Sequence, residues 1–247
     1  MAPVLRASAS TGAEWRCHGD TNTDLVSKLL SGGIIQTRAI GEAMNAIDRK
    51  LFVPTEAASE AYADHPLVIG YGATISAPHM HAHCLEFLKD HIKPGATVLD
   101  VGSGSGYLAA VIAQMVGPSG RVVGIEHIDK LVAWSIENTA NSAVSNMLVT
   151  SHNPDGHLLL IEGDGREGYP PHAPYDAIHV GAAAPQTPNA LLEQLKPGGR
   201  LVIPVGTHSQ DLMIYDKKSD GNIESRSAMG VRYVPLTSVD YQIQNAR

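Results

Sequence analysis

The chain predicts an α/β fold: a doubly wound, mostly parallel seven-stranded sheet with helices on both faces, an antiparallel edge and added N-terminal helices. Three observations carry this. Seven short apolar runs (97–101, 121–125, 158–162, 175–180, 200–205, 211–215 and 230–236) alternate with helical patterns at 106–116, 127–143 and 187–195. Strands separated by helices make a parallel sheet covered on both sides. The second observation is Thr97-Val-Leu-Asp-Val-Gly-Ser-Gly-Ser-Gly106, a strand entering a glycine turn and then a helix of apolar period, Leu108, Val111, Ile112 and Met115. That is where α/β folds hold a nucleotide-like cofactor. The third is the gap between the last two strands, which offers Asp220-Gly221 as a turn and no helix, so the far edge is antiparallel.

The N-terminal part comes first in the chain. Met1 to Gly12 is rich in Ala and Ser, with Arg6 and no acid. Without an apolar face it reads as a frayed terminus rather than a transit peptide, and 1–13 is expected to be a disordered extension. Leu25, Leu29 and Leu30 give a short helical face stopped by Gly32-Gly33. Thr37 is placed to cap a second helix with Ile40, Met44 and Ile47 at helical spacing. Pro54 and Pro66 punctuate an irregular stretch. Residues 70–82 read as a polar turn entering a helix over 79–92, with Ser76 as its N-cap and Cys84, Leu85, Leu88 and Ile92 buried. Lys93-Pro94-Gly95 ends that helix. No linker divides the chain, so 14–247 is expected to be one domain: a helical recognition part (14–95), a cofactor-binding core (96–206) and a closing C-terminal part (207–247).

Composition excludes several classes. The 247 residues are 43% hydrophobic and 17% charged, an ordinary globular balance. No apolar run reaches 18 residues, so no transmembrane helix and no membrane partner are expected. A net charge of −7 counts against nucleic acid as a partner. Cys17 and Cys84 are 67 positions apart, with neither metal nor disulfide spacing, which suits the reducing cytoplasm. His79, His81 and His83 have spacings of i+2 and i+4, only loosely compatible with one ion, so the expectation is a packing cluster and no metal.

The glycines alone do not choose a cofactor. A dinucleotide turn, Gly-x-Gly-x-x-Gly or Ala, fails from Gly102 (Tyr107) and passes from Gly104 (Ala109). The acids discriminate better. Glu126 ends the next strand about 20 residues on, where a carboxylate can accept from both hydroxyls of a ribose. Asp100, just before the glycines, suits a cation such as a methionyl sulfonium and would be unwelcome beside a pyrophosphate. Asp164, in Gly-Asp-Gly-Arg, is suited to an exocyclic amine such as adenine's, or to a simple turn.

Asp-x-Gly-x-Gly-x-Gly, the strand-end acid and the Gly-Asp turn resemble the class I S-adenosylmethionine-dependent methyltransferases. Pro-Tyr-Asp-Ala-Ile-His-Val-Gly (174–181) and Leu-Lys-Pro-Gly-Gly-Arg-Leu-Val-Ile-Pro (195–204) match the next two strand motifs of their Rossmann-like fold. Within that superfamily, Ala-Thr-Ile-Ser-Ala-Pro-His-Met-His-Ala (73–82) closely resembles the signature of the protein-L-isoaspartate (D-aspartate) O-methyltransferases. Gly-Gly-Ile-Ile-Gln-Thr (32–37) and Tyr-Val-Pro-Leu-Thr (233–237) look like the same family.

The resemblance implies repair of L-isoaspartyl and D-aspartyl residues in damaged proteins and peptides, by a monomer using S-adenosylmethionine and no metal. It assigns Ala73, Thr74, Ile75, Ser76 and His81 to the cofactor and reaction centre, with Ser76 at the position regarded as catalytic. Asp100, Gly102, Ser103 and Gly104 match the methionine side, Glu126 and His127 the ribose side, and Asp164 and Gly165 the adenine side. Thr237 and Gln242 match closing positions, and Ile69 and Val180, with Ser76, the substrate site. Where the family commonly has Asp at the ribose position, this chain has Glu126.

Overall fold

The computed structural model describes residues 17–245. The expected N-terminal extension, 1–13, lies outside them. Two helices come first, α1 (Asn22–Ser31) and α2 (Arg38–Ala46), followed by two 3-10 turns over Arg49–Phe52 and Thr55–Glu60. Thr21 caps α1, its hydroxyl accepting from the Asp24 amide at 3.1 Å. Thr37 stands at the start of α2 but does not cap it. Its hydroxyl donates to Glu86 Oε2 at 2.9 Å, because Glu86 already gathers the Gln36 and Thr37 amides.

The stretch expected to be a turn before the next helix is a hairpin. Strands β1 (Leu67–Gly70) and β2 (Ala73–Ile75) pair antiparallel around Tyr71-Gly72. Helix α3 (Pro78–Leu88) follows with Pro78 in its first turn. Its N-cap is Ala77, not Ser76, so the serine hydroxyl is spared from capping. The helix also stops four residues before the expected end at 92.

The main sheet then runs β3 (Thr97–Val101), α4 (Tyr107–Val116), β4 (Arg121–Glu126), α5 (Asp129–Ala140), β5 (Leu158–Glu162), β6 (Tyr175–Val180), α6 (Asn189–Glu193), β7 (Leu195–Val205), β8 (Gln210–Lys217) and β9 (Ile223–Val231), and α7 (Val239–Asn245) closes the chain. The spatial order is β5-β4-β3-β6-β7-β8-β9. The first five are parallel and the last two antiparallel, as the alternation and the Asp220-Gly221 turn predicted. Val98, Val122, Leu158 and Ala177 face one apolar cluster with the buried sides of α1 to α5. Leu99, Val123 and Ile178, alternating with them, face a second cluster with Leu191 of α6. Burial on both faces is why these strands read as continuous apolar runs.

Two elements differ from expectation. Helix α6 has five residues rather than the nine expected over 187–195, and β7 takes over from Leu195. The last strand is 223–231 rather than 230–236. Its Glu224-Ser225-Arg226-Ser227 run lies exposed at the sheet edge, so no apolar alternation marks it. Residues 233–236 leave that edge instead. The Gln210 side chain holds the Tyr233 backbone through two bonds, 2.7 and 3.1 Å, and Val234 and Leu236 pair with Ala183 at 2.8 Å each.

Candidate functional site

The strand order reverses between β3 and β6, and in open parallel sheets ligands bind beyond the strand ends at that point. Two adjoining recesses of about 510 and 350 Å³ open there. They share Thr74, Gly102, Gly104 and Gly181.

The glycine turn forms the floor. After β3 the Gly102 and Ser103 amides both donate to Ile125 O, at 2.8 and 3.1 Å, which folds the turn against the end of β4. Gly104 adopts φ +51, and a Cβ there would lie 3.1 Å from Ile69 Cδ1. A side chain at this position would meet both backbone strain and a neighbour. Glu126, 6% exposed, anchors the turn from β4. Its Oε2 accepts from the Gly104 amide at 3.2 Å, and Oε1 from the His127 and Ile128 amides at 2.8 and 3.1 Å. Three backbone donors hold the carboxylate in place, while its remaining lone pairs can accept ligand hydroxyls.

The deeper recess holds Ile75, Ser76, His81, Asp100, Ser103, Ser105, Tyr107 and His179. Asp100 is 1% exposed, and Oδ1 takes a 2.7 Å hydrogen bond from His179 Nδ1. Register explains the pairing: Asp100 and His179 are opposite each other on parallel strands, so their side chains share a face. Burial works against a charge on His179, but the bonds to Asp100 and to the Cys84 thiol prevail and push its pKa up to about 10. His81 shifts the other way, well below its ordinary value, through burial and then the charges of Arg49, His179 and His79. It packs against Tyr107, ring centroids 5.1 Å apart.

Of the predicted residues, Ala73, Thr74, Ile75, Ser76, His81, Asp100, Gly102, Ser103, Gly104, Glu126, His127, Gly165, Thr237 and Gln242 line one recess or the other. Ile69 sits over Gly104 as its neighbour. Two predicted residues stand behind the wall. The Asp164 carboxylate is forked by Arg166, with Nε at 2.9 Å and Nη2 at 2.5 Å, and it is Gly165 beside it that lines the site. Val180 packs in the second apolar cluster, and Gly181 after it faces the recess. The three histidines part company: His79 Nδ1 bonds Asp64 Oδ1 at 2.8 Å, His81 faces the recess and His83 stacks on Phe87.

Sequence reasoning missed His179, Tyr107 and the β1–β2 hairpin. A signal existed for two of them. His179 precedes Gly181 by the same two positions by which Asp100 precedes Gly102, and Gly70-Tyr71-Gly72 between apolar runs is hairpin chemistry.

The donor set fits S-adenosylmethionine better than a dinucleotide. Among the described residues no lysine or arginine lines either recess, and two carboxylates do. Asp100 Oδ2 is buried without a hydrogen-bond partner, an acceptor left facing the ligand and hostile to a pyrophosphate. At Gly165 a Cβ would come 2.4 Å from Val101 Cγ1, so the wall there stays at backbone thickness.

Comparison with known proteins gives one consistent result. The profile of the protein-L-isoaspartate(D-aspartate) O-methyltransferase family matches residues 20–241. A protein-L-isoaspartate O-methyltransferase of Triticum aestivum is 56% identical over 227 residues, covering 92% of this chain and 96% of the relative. One of Caenorhabditis elegans is 43% identical, covering 92% and 97%. A crystal structure of a putative protein-L-isoaspartate O-methyltransferase from Plasmodium falciparum, in complex with S-adenosyl-L-homocysteine, superposes with a TM-score of 0.77 at 30% identity, covering 89% of this chain and 99% of that one.

Proposed function

The chain belongs to the protein-L-isoaspartate(D-aspartate) O-methyltransferase family, and from that membership we propose which of its residues carry the reaction. It is a protein-repair methyltransferase. It transfers a methyl group from S-adenosylmethionine to the free carboxyl of L-isoaspartyl and D-aspartyl residues in damaged proteins and peptides, giving S-adenosylhomocysteine and a methyl ester. The observation that carries the residue assignment is the paired recess at the β3/β6 switch point, with Glu126 in one part, Asp100 in the other and, among the described residues, no lysine or arginine in its wall.

The bound cofactor supplies a methyl group already activated by its sulfonium. Gly102, Ser103 and Gly104 hold its methionine end, and Asp100 offers the unpartnered Oδ2 to the positive charge. Glu126 accepts the ribose hydroxyls beside His127. Gly165 gives the adenine a flat wall, with Asp164 at its edge. Ala73, Thr74 and Ile75 form the opposite side, and Thr237 and Gln242 close over it.

Ser76 is the catalytic residue in this reading. Its hydroxyl lines the deeper recess and donates to the acceptor carboxylate. A carboxylate with a pKa of roughly 3.5–4 is ionised at neutral pH, so the enzyme needs no general base. Its task is to hold the acceptor oxygen in line and to exclude water. Burial keeps His81 neutral, so it adds no positive charge beside the sulfonium. Ile69 flanks the isoaspartyl residue, Val180 supports the site from behind its wall, and the peptide binds extended through main-chain hydrogen bonds, as tolerance of flanking sequence demands.

Residues 14–247 act as one domain and one copy, since a single chain supplies the lining from Ala73 to Gln242. Cys17 and Cys84 are buried as thiols rather than joined in a disulfide, which fits the cytoplasm. The net charge of −7 argues against nucleic acid as partner. Among the described residues no helix is long and apolar enough to cross a membrane.

The test is methyl transfer to an isoaspartyl peptide and to its normal aspartyl twin, by the parent and by Ser76→Ala. We expect turnover of the isoaspartyl peptide alone, and a kcat about 10–100-fold lower in the variant, with cofactor affinity kept. Parent-like turnover by Ser76→Ala removes Ser76 from its role.

A further inference from the structure

The deeper recess has to accommodate two carboxylates. Asp100 is part of its wall, and the acceptor carboxylate enters beside Ser76. Like charges in one desolvated space repel each other. Among the described residues no lysine or arginine lines the recess to offset them. His81, also in the wall, is kept neutral by burial. Buried Arg49 stands behind the Tyr107 ring, 5.6 Å from its centroid, and lines neither recess. The remaining basic side chain of the wall is His179, and no role proposed so far uses it.

We propose that His179 is a specificity-determining residue for methyl transfer: as the countercharge to Asp100, it lets the acceptor carboxylate share the recess and limits the preference for the charged cofactor over the product with its neutral sulfur. This rests on the places proposed above for the sulfonium and the acceptor carboxylate.

The pair is fixed by the fold. Asp100 and His179 stand opposite each other in register on β3 and β6, with Nδ1 and Oδ1 2.7 Å apart. They are 1% and 4% exposed. The imidazole borders the site, since a Cβ built at Gly181, which lines both recesses, would stand 3.6 Å from His179 Cε1. An ionised carboxylate buried this deeply needs a partner charge. His179 is the basic group in contact with it, and Oδ2 has no hydrogen bond of its own. Burial opposes a charge on the imidazole, but the bond to Asp100 carries its pKa up to about 10, which agrees with an imidazolium at neutral pH.

Such a pair has no net charge and still turns Oδ2 toward the cofactor. The sulfonium meets a dipole instead of a bare anion, so the electrostatic advantage of S-adenosylmethionine over S-adenosylhomocysteine shrinks. The acceptor carboxylate meets no net negative charge in the wall. As the methyl group passes from sulfur to oxygen, the C–S bond breaks, the C–O bond forms, and the positive and negative charges of the reactants cancel. A wall without net charge does not hold those reactant ions more tightly than the transition state. His179 transfers no proton in this role.

The experiment uses the full chain and His179→Asn, whose amide can keep the hydrogen bond to Asp100 but carries no charge. Calorimetry reads the Kd for S-adenosylmethionine and for S-adenosylhomocysteine, and kinetics at saturating S-adenosylmethionine read the KM for an isoaspartyl peptide. We expect the ratio of the two Kd values to shift about tenfold in favour of S-adenosylmethionine, and the peptide KM to rise about tenfold. A side chain that merely braced the strand would weaken both cofactor forms alike, so a ratio within twofold of the parent overturns the inference. An unchanged peptide KM does the same. The double variant Asp100→Asn/His179→Asn buries no charge and is compared with Asp100→Asn, which keeps the test open if His179→Asn does not fold. With residue 100 uncharged, loss of the imidazole should leave the peptide KM within twofold, and a tenfold rise there overturns the inference. If Asp100→Asn binds S-adenosylmethionine as the parent does, the place of Asp100 at the sulfonium falls and the inference falls with it. Turnover of the isoaspartyl peptide by the parent stands apart from all of these outcomes.

Discussion

His127 Nε2 and Gln242 Oε1 stand 2.8 Å apart across 115 positions of sequence. The same amide donates from Nε2 to Tyr71 O at 2.9 Å. One side chain of α7 thus ties the β1–β2 hairpin to the end of β4 over the mouth of the site. Gln242→Ala should loosen this strap. We expect the Kd for S-adenosylhomocysteine to rise about 5–10-fold by calorimetry, and faster amide exchange over 239–245. Unchanged affinity would show that α7 lies over the site without holding it shut.

Glu126 accepts three backbone amides. In Glu126→Gln one oxygen becomes an NH₂ that must face an N–H donor. The turn at Gly104 or the start of α5 then loses its anchor. Cofactor affinity should fall at least about tenfold, with a smaller effect on the KM for peptide. Isothermal titration with S-adenosylmethionine reads this directly, and a Kd within twofold of the parent would remove Glu126 from the ribose site.

Gly165 tests the wall. A methyl group there would sit 2.4 Å from Val101 Cγ1 in a buried strand, with no flexible side chain to give way. Gly165→Ala should destabilise the fold by about 1–3 kcal/mol and narrow the recess, lowering both the melting temperature and cofactor affinity. Parent-like values of both would mean that the 165–167 turn shifts freely.

The two site histidines predict a stability optimum in pH. His179 carries a folded pKa of about 10 against an ordinary 6.5, because its bonds to Asp100 and Cys84 outweigh burial. Its contribution is complete below pH 6.5 and lost as pH rises through about 10. Burial and nearby cations lower His81, so its contribution is complete above pH 6.5 and lost as pH falls. Thermal unfolding between pH 5 and 10 should fall away on both sides. His179→Gln should flatten the alkaline limb and His81→Gln the acid one. An alkaline limb that survives His179→Gln would assign it to another group.

What could be read from the chain follows what is local. Central strands buried on both faces must be apolar throughout, so β3 to β7 announce themselves. The turn at 102–106 needs glycine for its backbone, and Asp100 and Glu126 are fixed at strand ends by the strand period. The polar edge strand β9 gave no such signal, and Tyr233-Val-Pro-Leu-Thr237 looked like strand while its backbone was destined for Gln210 and Ala183. Only the tertiary structure brought Cys84 to Tyr233, 149 positions away, and Gln242 to His127. The turn that we propose holds the methyl donor is legible in the sequence because it is built from consecutive residues. The packing of α3, β6 and the C-terminal segment decided what surrounds Ser76. Those contacts depend on sheet order and register, and both are settled by burial of whole faces rather than by any short run of residues.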